Sequence, residues 1–201
     1  MIFGDPYRFA IWIEYVPQWG DSIKNGFFYF FLNGSMYPND IRTSTLFVDY
    51  DDVIDSENAL IAMPCDDEIF NASTDKAFEY LYKMAYPQPT SEDEYPDGIC
   101  KFNASPTIIL ESGACFFAVS NKNFVRILGG KVSELVSHGE RRVWQDIKHP
   151  VIEDITIEKI EINKIISSFK EYTTFYSCSR TFIEAPRSHI HSLDYWLPAR
   201  C

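Results

Sequence analysis

Phe9-Ala-Ile-Trp-Ile-Glu-Tyr15, then Gly26-Phe-Phe-Tyr-Phe-Phe-Leu32 closed by Asn33-Gly34, are the stretches that decide the fold class. From Arg8 to Val16 the chain alternates around Phe9, Ile11, Ile13 and Tyr15, the period of a strand with one buried face. Ala10, Trp12 and Glu14 on the opposite side imply partial cover there as well. Pro17 to Asn25 is rich in breakers, and the run that follows it is continuous, apolar and of strand length. Asn-Gly tolerates the left-handed backbone that a two-residue hairpin turn needs. The pattern therefore predicts two antiparallel strands, near 8–16 and 26–32, with a hairpin turn after the second. Ser44 to Val48 reads as a further strand.

Beyond residue 48 the pattern mixes periods. Ser73 or Thr74 is positioned to cap a helix, with Asp75 near its positive end. Phe78, Leu81, Tyr82 and Ala85 supply its apolar stripe, and Pro87 and Pro89 end it. Gln88 to Gly98 is polar, acidic and interrupted by prolines, as expected of an exposed loop. Strands are predicted at Thr107–Leu110, Cys115–Ser120, Phe124–Leu128, Arg141–Ile147 and Ile155–Ile162. The second and third of these form a hairpin around Asn121-Lys-Asn123. In the last one, the alternation slips between Ile157 and Ile160. A helix from Asn163 to about Tyr176 presents Ile165, Ile166, Phe169 and Tyr172. The expectation is one α+β domain over residues 1–201, mainly antiparallel sheet with two or more packed helices, in which 88–98 is an exposed acidic loop or insertion. Sixteen Phe and twelve Tyr among 201 residues are enough apolar material for a substantial core, which argues against disorder.

The net charge of −11 is regional. Between Asp49 and Asp97 lie fourteen carboxylates and two lysines, for −12, while the remainder carries fifteen acids and sixteen bases, for +1. The acids cluster as Asp49, Asp51, Asp52, Asp55 and Glu57; as Asp66, Asp67 and Glu68; and as Glu92, Asp93, Glu94 and Asp97. Such a field repels nucleic acid and anionic membrane and attracts basic proteins. The ordinary alternative is a solvated face that keeps the protein soluble.

Nothing in the chain marks an enzyme. Ser112 lacks the flanking glycines of a nucleophile elbow, having Leu110 and Ala114 in their places. Gly129-Gly130-Lys131 lacks the upstream glycine of a phosphate-binding loop, and Asp49-Tyr-Asp51-Asp52 lacks the glycine and distal glutamate of a calcium loop. His189 and His191 fall on one side of an extended segment, but with Cys178 or Cys201 they do not complete a recognised zinc spacing. No catalytic residue, metal or cofactor is expected. The five cysteines (Cys65, Cys100, Cys115, Cys178 and Cys201) are odd in number and widely spaced, no stretch approaches the length of a membrane span, and the N-terminus lacks a signal-peptide run. These features lead to the expectation of a cytoplasmic protein with reduced thiols.

Met1-Ile-Phe-Gly-Asp5 followed by Phe9-Ala-Ile-Trp-Ile-Glu14-Tyr15, and then by Gly26-Phe-Phe-Tyr-Phe-Phe-Leu-Asn33-Gly34, resembles the opening of the immunity protein 42 family of bacterial polymorphic toxin and contact-dependent inhibition systems. The resemblance covers roughly the first 35 residues. It implies a small cytoplasmic antidote that binds and blocks one cognate toxin domain, with no catalytic residues to carry over. Ile2-Phe3-Gly4-Asp5 is read as structural, since it leads directly into a strand.

Together, the charge and the resemblance suggest stoichiometric neutralisation of a basic toxin domain, a nuclease among the candidates. The expected docking set is Asp49, Asp51, Asp52, Asp55, Glu57, Asp66, Asp67, Glu68, Tyr86, Glu92, Asp93, Glu94, Tyr95 and Asp97, the tyrosines acting as buried anchors. Tyr50 and Phe70 are further aromatic candidates. The competing readings are a cytosolic hydrolase and an acidic nucleic-acid mimic.

Overall fold

In the computed structural model, residues 1–19, 24–91, 93–139 and 141–177 are described, with side chains to 172. The first sheet holds β1 (Ile2–Gly4), β2 (Phe9–Tyr15), β3 (Asn25–Leu32), β4 (Ser35–Tyr37) and the short β5 (Ser44–Thr45). Its order is β1-β2-β3-β4, with β5 also on β3. The two strands expected from the pattern pair antiparallel, from Phe9 opposite Leu32 to Tyr15 opposite Gly26. Asn33 (φ 51°) and Gly34 (φ 83°) make the tight turn that sets Leu32 opposite Ser35. Phe9, Ile11, Ile13, Phe28, Phe30 and Leu32 are all buried and form the inner face. On the outer face Trp12 stacks against Phe27 and Tyr29, and Trp19 meets Phe27 edge-on.

Four helices follow: α1 (Leu46–Ile54), α2 (Ala59–Ala62), α3 (Asp67–Asn71) and α4 (Thr74–Ala85), then a segment without helix or strand whose described residues 88–91, 93–95 and 97–98 are exposed, and α5 (Thr107–Glu111). The second sheet comprises β6 (Ala114–Ser120) and β7 (Phe124–Lys131). A separate hairpin follows, β8 (Ser133–His138) and β9 (Arg141–Asp146). The chain then returns as β10 (Glu153–Glu158), giving the order β10-β7-β6, and continues into α6 (Lys159–Ser177).

All seven residues of β6 are buried because the second sheet is the middle layer. Phe116 and Ala118 face a core shared with the first sheet, α1, α5 and α6; Cys115, Phe117 and Val119 face a second core closed by α3 and α4. A strand covered on both faces reads as a continuous apolar run, which is how Ala114-Cys-Phe-Phe-Ala-Val119 looks. The result is a single α+β domain.

Three expectations about elements need correcting. The strand expected over Ser44–Val48 is strand only at Ser44–Thr45, because Leu46, Asp49 and Val53 turn one helical face of α1 into the core. The strand expected over Thr107–Leu110 is α5. The slip within Ile155–Ile162 is a change of element at Lys159, which leaves Ile160 exposed and Ile162 buried. The hairpin partner of β9, Ser133–His138, has too weak an alternation to stand out. Cys100 is disulfide-bonded, so the expectation of uniformly reduced thiols does not hold, whereas Cys65 and Cys115 are free.

Candidate functional site

The structure divides the acidic residues into those used to build the fold and those left facing solvent. Asp49 belongs to the first group and is 2% exposed. Its carboxylate accepts hydrogen bonds from the Ser44 hydroxyl and from the Ile108 amide, the latter at 2.8 Å. Asp52 accepts from the Thr107 amide at 2.7 Å. Two carboxylates of α1 thus satisfy the first free amides of α5, whose own preceding residue, Pro106, has no side-chain acceptor to offer. Asp66 caps α3 through the Ile69 amide at 3.0 Å.

Burial pushes the Asp49 carboxyl up to about 6, opposed by its two hydrogen bonds and reinforced by the neighbouring Asp52 and Glu111 charges. The folded state therefore holds this proton more tightly than the unfolded chain, whose value is 3.8. The resulting contribution to stability is present below about pH 4 and is lost as pH rises through 6. Measured against Asp49→Asn, the relative stability of the natural chain is expected to fall by as much as ~3 kcal/mol across that window. Urea unfolding of both proteins at a series of pH values checks this, and parallel profiles would refute it.

The outward group comprises Asp55, Glu57, Asp67, Glu68, Asp93, Glu94 and Asp97, all exposed. Among the described residues, none of these seven takes part in an ion pair. Asp51 is half-buried on α1. The 88–98 loop leaves from the end of α4 and returns to it: the Ile99 amide donates to the Met84 carbonyl at 2.8 Å, and a side chain at Gly98 would lie 2.2 Å from the Ala85 carbonyl oxygen. Inside it, the Thr90 amide donates to the Asp93 carbonyl at 2.8 Å, the Asp93 amide donates to the Thr90 hydroxyl, and Asp93 accepts from the Tyr95 amide. Tyr95 is 82% exposed at the tip.

Tyr86 is placed differently. It ends α4, packs against Tyr82 in the second core, and has a buried hydroxyl that faces the Cys115 thiol without completing a hydrogen bond. Desolvation raises both groups, Cys115 to about 12. Tyr50 and Phe70 also pack against cores. Glu92, Cys178, His189, His191, Tyr195, Trp196 and Cys201 lie outside the described residues.

A buried polar hub went unread in the sequence. Arg126 on β7 is 6% exposed. Its guanidinium donates to Asp154 on β10 and to the carbonyls of Ile69, Phe70 and Ala72 where α3 ends, the last at 2.6 Å. Asp154 also accepts from the Thr74 hydroxyl at the start of α4, at 2.6 Å. This fork ties the helices that carry Asp67, Glu68 and the acidic loop to the second sheet. In the sequence Arg126 and Asp154 stand 28 positions apart, and they meet only because β7 and β10 pair antiparallel.

Among the described residues no group of His, Cys, Asp and Glu could hold a metal ion, and no helix is long and apolar enough to cross a membrane. Residues 1–172 match the family model described as Immunity protein 42. The chain belongs to the immunity protein 42 family. Its resemblance therefore extends well past the opening strands, through the whole of both sheets and most of α6. A crystal structure of CdiI from Burkholderia dolosa AUO158 has the same fold, with a TM-score of 0.62 and 17% identity over 85% of this chain and 99% of the other. No curated protein sequence matches the chain. As a family member it is an immunity protein, one that neutralises a cognate toxin protein, and the family role is a non-enzymatic one.

Proposed function

We propose that this immunity protein acts in the cytoplasm by stoichiometric binding, and that a basic toxin domain, a nuclease being the class that fits best, docks on its outward carboxylates. The observation that carries this reading is the set of seven exposed acids with no ion pair among the described residues. Surface acids on a folded protein are commonly offset by neighbouring lysines and arginines; here only Lys76 and Lys83 interrupt the stretch, and Lys83 is engaged by Glu79. An uncompensated field of this kind imitates the phosphates that a nuclease cleft receives and accelerates encounter. Tyr95 stands among these acids with most of its ring in solvent, so a partner that covers it gains an aromatic anchor. Asp49, Asp52, Asp66 and Tyr86 support the surface from beneath.

Charge and anchor separate kinetically. Long-range attraction is screened over about 8–10 Å at physiological ionic strength, so association should slow as salt rises while dissociation changes little. Converting Asp93, Glu94 and Asp97 to their amides is expected to lower the on-rate about tenfold at low salt and to flatten its salt dependence. Tyr95→Ala is expected mainly to raise the off-rate. Surface-binding kinetics with the cognate toxin domain, over a salt series, measures both. If amide variants in all three clusters associate at the natural rate with the natural salt slope, the acids are a solvated face. The toxin must then sit elsewhere, for which the aromatic outer face of the first sheet, with Trp12, Trp19 and Phe27, is the next candidate.

A further inference from the structure

The β8–β9 hairpin forms a sheet of its own, with the Trp144 ring of β9 lying beside Gly113 at its root. Its two strands pair only with each other, and all six residues of β9 are exposed. Its root is held by the Val132 and Ser133 amides, both donating to the Gly113 carbonyl, and by the Ile147 amide donating to the Val132 carbonyl. Two strands alone are marginal in water, and an unpaired edge with apolar residues invites another strand. Yet Leu135 and Trp144, opposite each other on one face, are 39% and 40% exposed, and Val143 on the other face is similarly open. Among the described residues neither Arg141 nor Arg142 has an ion-pair partner.

We propose that the free edge of β9 pairs antiparallel with the β9 of a second copy of this chain, about a two-fold axis at Trp144. The strand is complementary to itself in that register. A two-fold axis perpendicular to a sheet keeps each side chain on its own face, so only residues of equal parity can stand opposite one another. Centred on Trp144, the pairing sets Arg142 of each copy opposite Asp146 of the other, on the face that also holds Trp144 and Leu135. The four-stranded sheet then has an unbroken apolar row, Leu135, Trp144, Trp144 and Leu135, bracketed on both sides by an Arg142–Asp146 ion pair. Opposite charges and aromatic pairs directly across a ladder are the contacts that stabilise a sheet. Centring on Val143 instead would put Arg142 opposite Trp144 and leave Asp146 without its arginine. The occupant inferred is a copy of the chain itself and not a toxin strand, because the complementarity lies within Arg-Arg-Val-Trp-Gln-Asp. The inference does not rest on the acidic surface.

Sedimentation velocity over a concentration series tests this on the full chain, with far-UV circular dichroism confirming that each variant is folded. The natural chain is expected to shift from monomer to dimer. Arg142→Asp and Asp146→Arg alone should each weaken the dimer about tenfold or more, by replacing two attractive pairs with two repulsive ones. The double variant, which restores opposite charges in swapped positions, should recover it. A chain that stays monomeric at every concentration overturns the proposal, as does a double variant no better than the singles. A monomeric chain whose β9 variants nevertheless lose toxin binding would assign the edge to the toxin and overturn it equally.

Discussion

Replacing Arg126 with methionine is expected to destabilise the protein by roughly 3–5 kcal/mol, a large share of the stability of a domain of this kind. Methionine matches the aliphatic stem of arginine and keeps the apolar part of its packing, so the loss reports mainly on the guanidinium. Without it Asp154, only 20% exposed at its side chain, keeps a charge with the Thr74 hydroxyl as its remaining side-chain donor among the described residues. The carbonyls of Phe70 and Ala72 lose the guanidinium donor in the same step, while that of Ile69 keeps only the Ala72 amide. An uncompensated buried charge and unsatisfied carbonyls are both costly. Arg126→Lys should recover little, because one ammonium cannot serve a carboxylate and a helix end together. Removing the stranded charge as well, in Arg126→Met with Asp154→Leu, should recover part of the loss. Denaturant unfolding measures all of these. A loss under about 1 kcal/mol for Arg126→Met would show that the fork is not a structural tie. Hydrogen exchange should show that protection in α3 and α4 falls first, since those helices hang on this hub.

The parts of this protein that were legible in the sequence are those whose burial follows a local period. β2 and β3 announced themselves by alternation and a glycine turn, and α4 and α6 by stripes of apolar residues. Helix α1 was hidden because the residue that completes its buried face is Asp49, which looks like surface. Helix α5 was hidden because its capping groups, Asp49 and Asp52, lie more than fifty positions upstream. No window of neighbouring residues contains both halves of such an interaction. The same cause limits the reading of the site. Charge alone could not tell Asp49, Asp52 and Asp66, which hold helix ends, from Asp55, Asp67 and Asp93, which face water. Nor could it reveal Arg126, whose partners come from β10 and from the end of α3, both distant along the chain.

Phe116 is the second residue whose loss should be severe. Phe116→Ala is expected to cost about 3–5 kcal/mol. The ring is fully buried between the two sheets, edge-on to Phe30 at 5.4 Å and to Tyr37 at 5.0 Å, so it joins the inner face of the first sheet to the middle layer. On its own sheet it lies directly over Gly129, its cross-strand neighbour on β7. A side chain at Gly129 would come within 2.5 Å of Cδ1 and Cε1 of that ring, closer than any real contact. The glycine is therefore required by the ring and not by an unusual backbone. Gly129→Ala alone should destabilise by about 1–3 kcal/mol through overpacking. In the Phe116→Ala background, however, the added methyl group enters the space the ring has left, and its cost should vanish or reverse. The two substitutions are thus expected to be strongly non-additive, with a coupling of roughly 1–3 kcal/mol in a double-mutant cycle. Equal costs for Gly129→Ala in both backgrounds would mean that the strand needs the glycine for some reason other than the ring. The layered core would then not be joined at this point in the way the contact between Gly129 and Phe116 implies.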